Sequence, residues 1–273
     1  MKKLIAGPWV GEFGWELFAW QGYIRAMSRK YDQTTVISRV NSEPLYKDFC
    51  NIFYANEPVG GVVDSFYMQG VDFKEEFKKN VVKNKIILDK NTTLFIPRRI
   101  GLPPFTHYSQ PVIFGEHTIK PEYKIYGSER KDKYDYVFHI RDRQLVRPED
   151  NWDIANWIQL KEFLGKDKKI ACVGTVKESG WIDGTDDLRN IELQTLFDIL
   201  YNCECVFGPS SGPMHLASLC NAPHVVWSIG ANKTRYEENW NPHNTKVCFL
   251  SDYEWHPSAA YVYEKYLHFK EKL

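Results

Sequence analysis

Short apolar runs alternate with stretches of helical period along most of this chain, and that alternation constrains the fold more than any other feature. Lys3 to Ala6 is a first apolar run. From Trp15, the residues Leu17, Trp20, Ile24 and Met27 recur at spacings of 3, 4 and 3, one face of a helix. "TTVIS" (34–38) reads as a strand and "SEPLYKDFCNIF" (42–53) as a helix opened by Ser and Pro. A strand over 60–68, a charged helix over 73–85 and a strand over 93–97 follow. Residues 97–133 break the rhythm, with Pro97, Pro103, Pro104, Pro111 and Pro121 among glycines. They read as loops and an interdomain connection, with room for a strand at 112–114.

The pattern then resumes. Strands are expected at 134–140, 169–174, 205–207 and 224–230. Helices are expected over 152–164 capped by Asp150 and Asn151, over 193–202, over 213–220, and from Pro257 to Phe269. Strands separated by helices predict parallel sheets covered on both faces. The length, 273 residues, suits two such α/β halves.

Composition narrows the function classes. Lys plus Arg and Asp plus Glu both number 35, so there is no basic excess of the kind general nucleic-acid binders carry. No apolar run approaches the roughly 18 residues needed to span a bilayer. The start, "MKKLIAGPWVGEFG", is too broken for a signal peptide. The six cysteines are scattered without zinc spacing and read as reduced thiols of a cytoplasmic protein.

Parallel sheets bind ligands beyond the carboxyl ends of their strands. Two strand-to-helix corners stand there. The first, "GPWVGEFGWEL" (7–17), sets Glu12 among Gly7, Gly11 and Gly14. The spacing is not that of a dinucleotide fingerprint. Glu12 reads either as a general base or as an acid favoured by the helix dipole. The second, "CVFGPSSGPMHLASL" (205–219), places six turn formers before a helix with His215 in its first turn. Helix N–H groups and serine hydroxyls there suit a phosphate, and a plain serine-capped helix is the structural alternative, with Ser211 or Gly212 as cap and Pro213 at the first helical position. "HIRDRQLVR" adds Arg141, Arg143 and Arg147, residues suited to bidentate phosphate contact or to pairing with nearby Asp135, Asp142 and Asp150.

At both corners the sequence resembles glycosyltransferase family 9, the ADP-heptose lipopolysaccharide heptosyltransferases. "GPSSGPMHLASLCNAPHVVWSIG" is similar to that family's diphosphate loop, and "LIAGPWVGEFGWELFAWQGYIRAMSRKY" to its N-terminus. The resemblance implies a GT-B fold, two Rossmann-like domains facing across a cleft. It implies an acceptor domain over 1–130, a nucleotide-sugar domain over 131–256, and a last helix in 257–273 crossing back to the first. Glu12 falls where the family has a catalytic Asp and would deprotonate the acceptor hydroxyl. Ser210, Ser211, Gly212, Pro213, Met214 and His215 fall on the diphosphate loop, with Ser210 where the family has Asp. The family's phosphate-binding lysine has no clear match; Arg141, Arg143 and Arg147 stand there instead.

Lys177 or Glu178 could reach the ribose or base, and Trp9, Gly11 and Trp15 could meet the acceptor. With no Asp-x-Asp in the chain, the expected reaction needs no metal and no cofactor beyond the nucleotide-sugar co-substrate. A saccharide hydroxyl is the favoured acceptor. Hydroxymethylated bases of DNA are a second, with the 77–85 lysines and Arg98-Arg99 as a local basic face. A non-catalytic nucleotide-sugar binding protein is the rival of another class.

Overall fold

A computed structural model describes residues 1–57, 72–97, 119–145 and 147–273. The strand expected at 60–68, the one at 112–114, most of the 97–133 connection and Arg98-Arg99 lie outside the described residues. The chain divides into two compact units, Met1–Tyr123 and Lys124–Leu273.

The first unit holds a parallel sheet of β1 (Lys3–Ala6), β2 (Gln33–Arg39), β3 (Ile52–Asn56) and β4 (Thr92–Phe95), in the order β3-β2-β1-β4 among the described residues. β1 lies in register with β2 from Lys3↔Gln33 and with β4 from Lys3↔Thr92. The helical stretch after β1 is not uniform. It runs as α1 (Phe13–Trp15), a π turn (Glu16–Trp20) and α2 (Gln21–Ser28). The predicted face of Leu17, Trp20, Ile24 and Met27 is buried, and the wider turn also carries Glu16 inward.

"SEPLYKDFCNIF" does not form the expected helix. Only Glu43–Leu45 is helical, as a 3-10 turn, and Ile52 already begins β3. Its side chains make long-range bonds that a continuous helix would break: Tyr46 Oη to Glu16, Asp48 to Arg25, and Asn51 Oδ1 to the Thr34 N–H. α3 (Phe73–Lys83) is capped by Asp72, which accepts from the N–H groups of Lys74 and Glu75. On it, Lys78 and Lys79 pair with Glu75 and Glu76.

The second unit's parallel sheet has the order β10-β9-β8-β5-β6-β7: β5 (Tyr136–Phe138), β6 (Ile170–Gly174), β7 (Asp186–Arg189), β8 (Cys205–Pro209), β9 (His224–Trp227) and β10 (Val247–Leu250). β7, "DDLR", is too polar to predict, and β10, "VCFL", is a four-residue apolar run that the sequence reading does not assign. Its helices are α4 (Ile154–Leu164), α5 (Leu193–Asn202), α6 (Gly212–Leu219) and α7 (Ala259–Lys270). α4 is capped by Asp153 rather than by Asp150 and Asn151, which serve the arginine loop described below. Trp152, Trp157 and Trp227 pack ring on ring at 4.6 to 5.4 Å under α4.

The compact units part seven residues before the expected boundary at 130/131. The buried face of α7, Ala259, Val262, Tyr266 and Phe269, lies in the second unit's core, with Tyr266 edge-on to Tyr136 and Phe207. Among the described residues no helix is long and apolar enough to cross a membrane.

Candidate functional site

A parallel sheet opens a crevice where its strand order reverses direction. In the first unit the chain runs β1, β2, β3 to one side and then places β4 on the other, so the reversal lies at β1/β4. In the second it runs β5, β6, β7 to one side and β8, β9, β10 to the other, so the reversal lies at β5/β8. Glu12 follows β1. The arginine loop follows β5, and the Ser-Ser-Gly corner follows β8. Glu12, the arginine loop and the Ser-Ser-Gly corner therefore fall at the carboxyl ends of strands that flank each reversal, while Lys177 and Glu178 follow β6.

The first corner is built on close packing. Gly7 has φ +121°, and a Cβ there would lie 2.1 Å from the Ile37 carbonyl oxygen. Trp9 donates its N–H to that same oxygen at 3.0 Å. Trp9 and Trp15 are buried, Trp9 stacked on Trp20 at 5.6 Å. Both rings belong to the core, so neither offers the acceptor-facing surface expected of it. Glu12 is half-buried and begins α1 with extended backbone, its side chain making no capping bond to the helix. The carbonyl of Gly11 accepts from Arg39 Nη1 at 2.8 Å.

The second corner is braced from a distance. Gly208 lies where a Cβ would meet Met214 Sδ at 2.7 Å and the His139 carbonyl oxygen at 3.1 Å. This close approach draws β8 against the strand end of β5. Ser211 is the N-cap of α6 and Pro213 stands second in the helix, one place later than predicted. Ser210 donates its N–H to the Trp227 carbonyl at 3.0 Å. Tyr236 Oη accepts from the Ser211 N–H and donates to Ser210 Oγ, both at 3.1 Å. Ser211 Oγ is buried with no hydrogen-bond partner among the described residues. Met214 and His215 are buried. The His215 ring stacks on Tyr236 at 4.2 Å and 14° and meets Trp240 edge-on at 4.7 Å. Burial, reinforced by Arg235 and His224, holds the His215 pKa well below the usual histidine range, so its imidazole is neutral. Sequence reasoning missed Tyr236, because nothing local marks a tyrosine some 25 residues away as the brace of this loop.

The three arginines divide. Arg141 is buried, donating from Nη1 to the Arg147 carbonyl at 2.9 Å and to Asn151 Oδ1 at 2.8 Å. Asp150 lies 3.8 Å from its Nη2. Burial, with Arg143 close by, pulls its pKa down to about 10. It is the internal tie of the loop. Arg143 Nε sits 3.7 Å from Glu178, which engages that glutamate within the protein. Arg147 is exposed, in the left-handed region at φ +49°, with Asp150 at 3.5 Å. Lys177 is exposed. Beside this loop lies a pocket of about 390 Å³ whose lining includes Arg141, Asp142, Asn151, Trp181 and Arg189. That volume is within the range of small-molecule sites. Trp181 and Arg189 were not legible as site residues, since one lies in an irregular segment and the other ends the polar strand β7.

No protein-family model matches the sequence, and no curated protein matches it. Solved structures match in fold along the whole chain. A glycosyl transferase family 9 protein from Veillonella parvula superposes with a TM-score of 0.64 at 11% identity, covering 100% of this chain and 98% of that one. E. coli ADP-heptose lps heptosyltransferase II gives 0.59 at 13% identity, covering 100% and 99%. E. coli heptosyltransferase WaaC with ADP gives 0.60 at 10% identity, covering 99% and 100%. The architecture is thus that of these GT-B proteins: two α/β domains, each on a parallel sheet.

Proposed function

We propose that the protein is a glycosyltransferase moving a sugar from a nucleoside-diphosphate sugar to an acceptor hydroxyl, a saccharide hydroxyl in the first instance. The observation that carries this reading is the coincidence of two independent placements. The residues matching the family's base and diphosphate loop stand at the strand-order reversals of two sheets, in a chain whose fold matches those transferases end to end.

In this reaction the bond between the anomeric carbon and the diphosphate oxygen breaks, and that oxygen keeps the electron pair. The acceptor oxygen bonds the anomeric carbon, and its proton passes to Glu12. The leaving diphosphate is stabilised by the first N–H groups of α6, which an α-helix leaves without internal partners. Ser211 Oγ and Arg147 add to them. Arg141 keeps the loop in shape. His215, neutral and buried, keeps Tyr236 under the serines. With these donors the reaction needs no metal.

A melting panel of ADP, UDP and GDP tests the central claim. One nucleotide is expected to stabilise the protein by about 2.7 kcal/mol at a hundredfold excess over its Kd. ADP is the first to try, because WaaC holds ADP in its structure. No shift from any of the three would overturn the reading.

Tyr236→Phe gives a finer check. It removes the hydroxyl that bridges Ser210 and Ser211 while keeping the stack on His215. The Kd of the stabilising nucleotide should rise roughly tenfold by calorimetry, the scale of one hydrogen bond. An unchanged Kd would show that the brace does not serve binding.

A further inference from the structure

The first corner contains a charge arrangement that a strand-to-helix turn does not need. Glu16 opens the π turn one helical turn after Glu12, and its N–H donates to the Glu12 carbonyl at 3.0 Å. Its carboxylate is fully buried. Ser42 Oγ donates to it at 2.9 Å, Tyr46 Oη at 2.8 Å, and Ser38 Oγ as well. Arg39 Nε lies 3.7 Å away. Burial raises the Glu16 pKa, and Arg39 and the three hydroxyls oppose the rise. Burying a carboxylate is expensive, and a well-packed apolar side chain often serves stability equally well. The network therefore calls for a purpose beyond packing.

Arg39 supplies it. It ends β2, beside β1 in the sheet. Besides facing Glu16, its Nη1 donates to the Gly11 carbonyl at 2.8 Å, and its guanidinium carbon stands 6.0 Å from the centre of the Phe13 ring. Gly11 and Phe13 flank Glu12. The other charged pair packed against this segment is already engaged: Arg25 binds Asp48 and the Leu45 carbonyl. The geometry points to Glu16 and Arg39 as a positioning pair for Glu12, in which the buried carboxylate fixes the guanidinium and the guanidinium fixes the backbone that carries the base. Glu16 offsets the charge of the guanidinium, so the pair acts on Glu12 through the backbone it ties. This inference rests on the reading of Glu12 as base.

Four variants test it: Glu16→Gln, Arg39→Lys, the double variant, and Glu12→Gln as reference. Transfer is assayed with the sugar derivative of the nucleotide that stabilises the protein. Glu16→Gln and Arg39→Lys should each lower kcat about 10- to 100-fold, the range expected when a reacting group is displaced. Donor KM should stay within about twofold. The double variant should be no slower than the worse single one, since residues acting as one unit are non-additive. Multiplying losses, a changed donor KM, or wild-type kcat in Arg39→Lys beside an inactive Glu12→Gln would overturn the pair and leave the base assignment standing. Full activity in Glu12→Gln would instead remove the base assignment.

A second arm needs no substrate. With glutamate carboxyls labelled in ¹³C, and the Glu12 signal assigned by its loss in Glu12→Gln, Arg39→Met should move the Glu12 carboxyl resonance, because the backbone beside it loses its tie to the guanidinium. An unmoved resonance would refute the proposal whatever the rates do.

Discussion

Replacing Glu12 by glutamine is expected to abolish sugar transfer while leaving nucleotide binding intact. Glutamine keeps the shape and removes the ability to accept a proton. Loss of a positioned general base costs about 10²- to 10⁴-fold in rate. The competing account of this residue is structural: an acid at a helix start, favoured by the dipole. That account predicts a loss of only about 0.3–1 kcal/mol of stability and no loss of rate. The geometry separates them further. Glu12 makes no side-chain capping bond at the start of the helical stretch that runs from Phe13 to Ser28. The measurement is a pair: kcat with the donor, and Kd of the matching nucleoside diphosphate. A dead variant with unchanged Kd supports the base. A variant with normal kcat refutes it. A wild type that binds the nucleotide yet neither transfers nor hydrolyses any donor would favour a binding protein instead.

Both corners were legible because their signal is local. A glycine-rich turn after an apolar run, then helical spacing, specifies strand, corner and helix without reference to distant residues. The parts that escaped are held by distant partners. Tyr236 reaches Ser210 and Ser211 across about 25 residues, and nothing in "RYEEN" announces it. Glu16 reads as an ordinary helical acid until the π turn carries it inward to Ser38, Ser42 and Tyr46. The same network explains the failed helix at 42–53, where tertiary bonds of Tyr46, Asp48 and Asn51 override helical spacing. Trp9 and Trp15 were misplaced for a related reason. An aromatic ring beside a candidate site serves core and ligand equally well in sequence, and only burial decides. The arginines show the limit of reading charge by type. Three in one loop suggested three phosphate donors, and one of them is the loop's own buried tie.

Gly7→Ala should be the most damaging single methyl addition at either corner. Gly7 is held between both neighbours of β1: its N–H donates to the Phe95 carbonyl of β4 at 2.9 Å, and the place a side chain would take is filled by the Ile37 carbonyl of β2. A Cβ would sit 2.1 Å from that oxygen, far inside contact distance. The oxygen cannot retreat freely, because it accepts the Trp9 N–H at 3.0 Å, and Trp9 is buried against Trp20. The positive φ adds strain of its own for any residue with a side chain. Together these place the loss at about 3 kcal/mol or more in the first unit, among the large values for point substitutions. Gly165→Ala separates the two causes. Gly165 also has positive φ, +111°, but its nearest atom to an added Cβ is Lys168 Cγ at 3.8 Å. That substitution meets backbone strain alone and should cost about 1 kcal/mol. Thermal melting followed by hydrogen exchange, read separately for the two units, compares them. Equal losses would mean that φ and not the Ile37 carbonyl sets the glycine requirement. If Gly7→Ala instead melts like wild type, β2 can yield at Ile37, and the corner that presents Glu12 is softer than this packing implies.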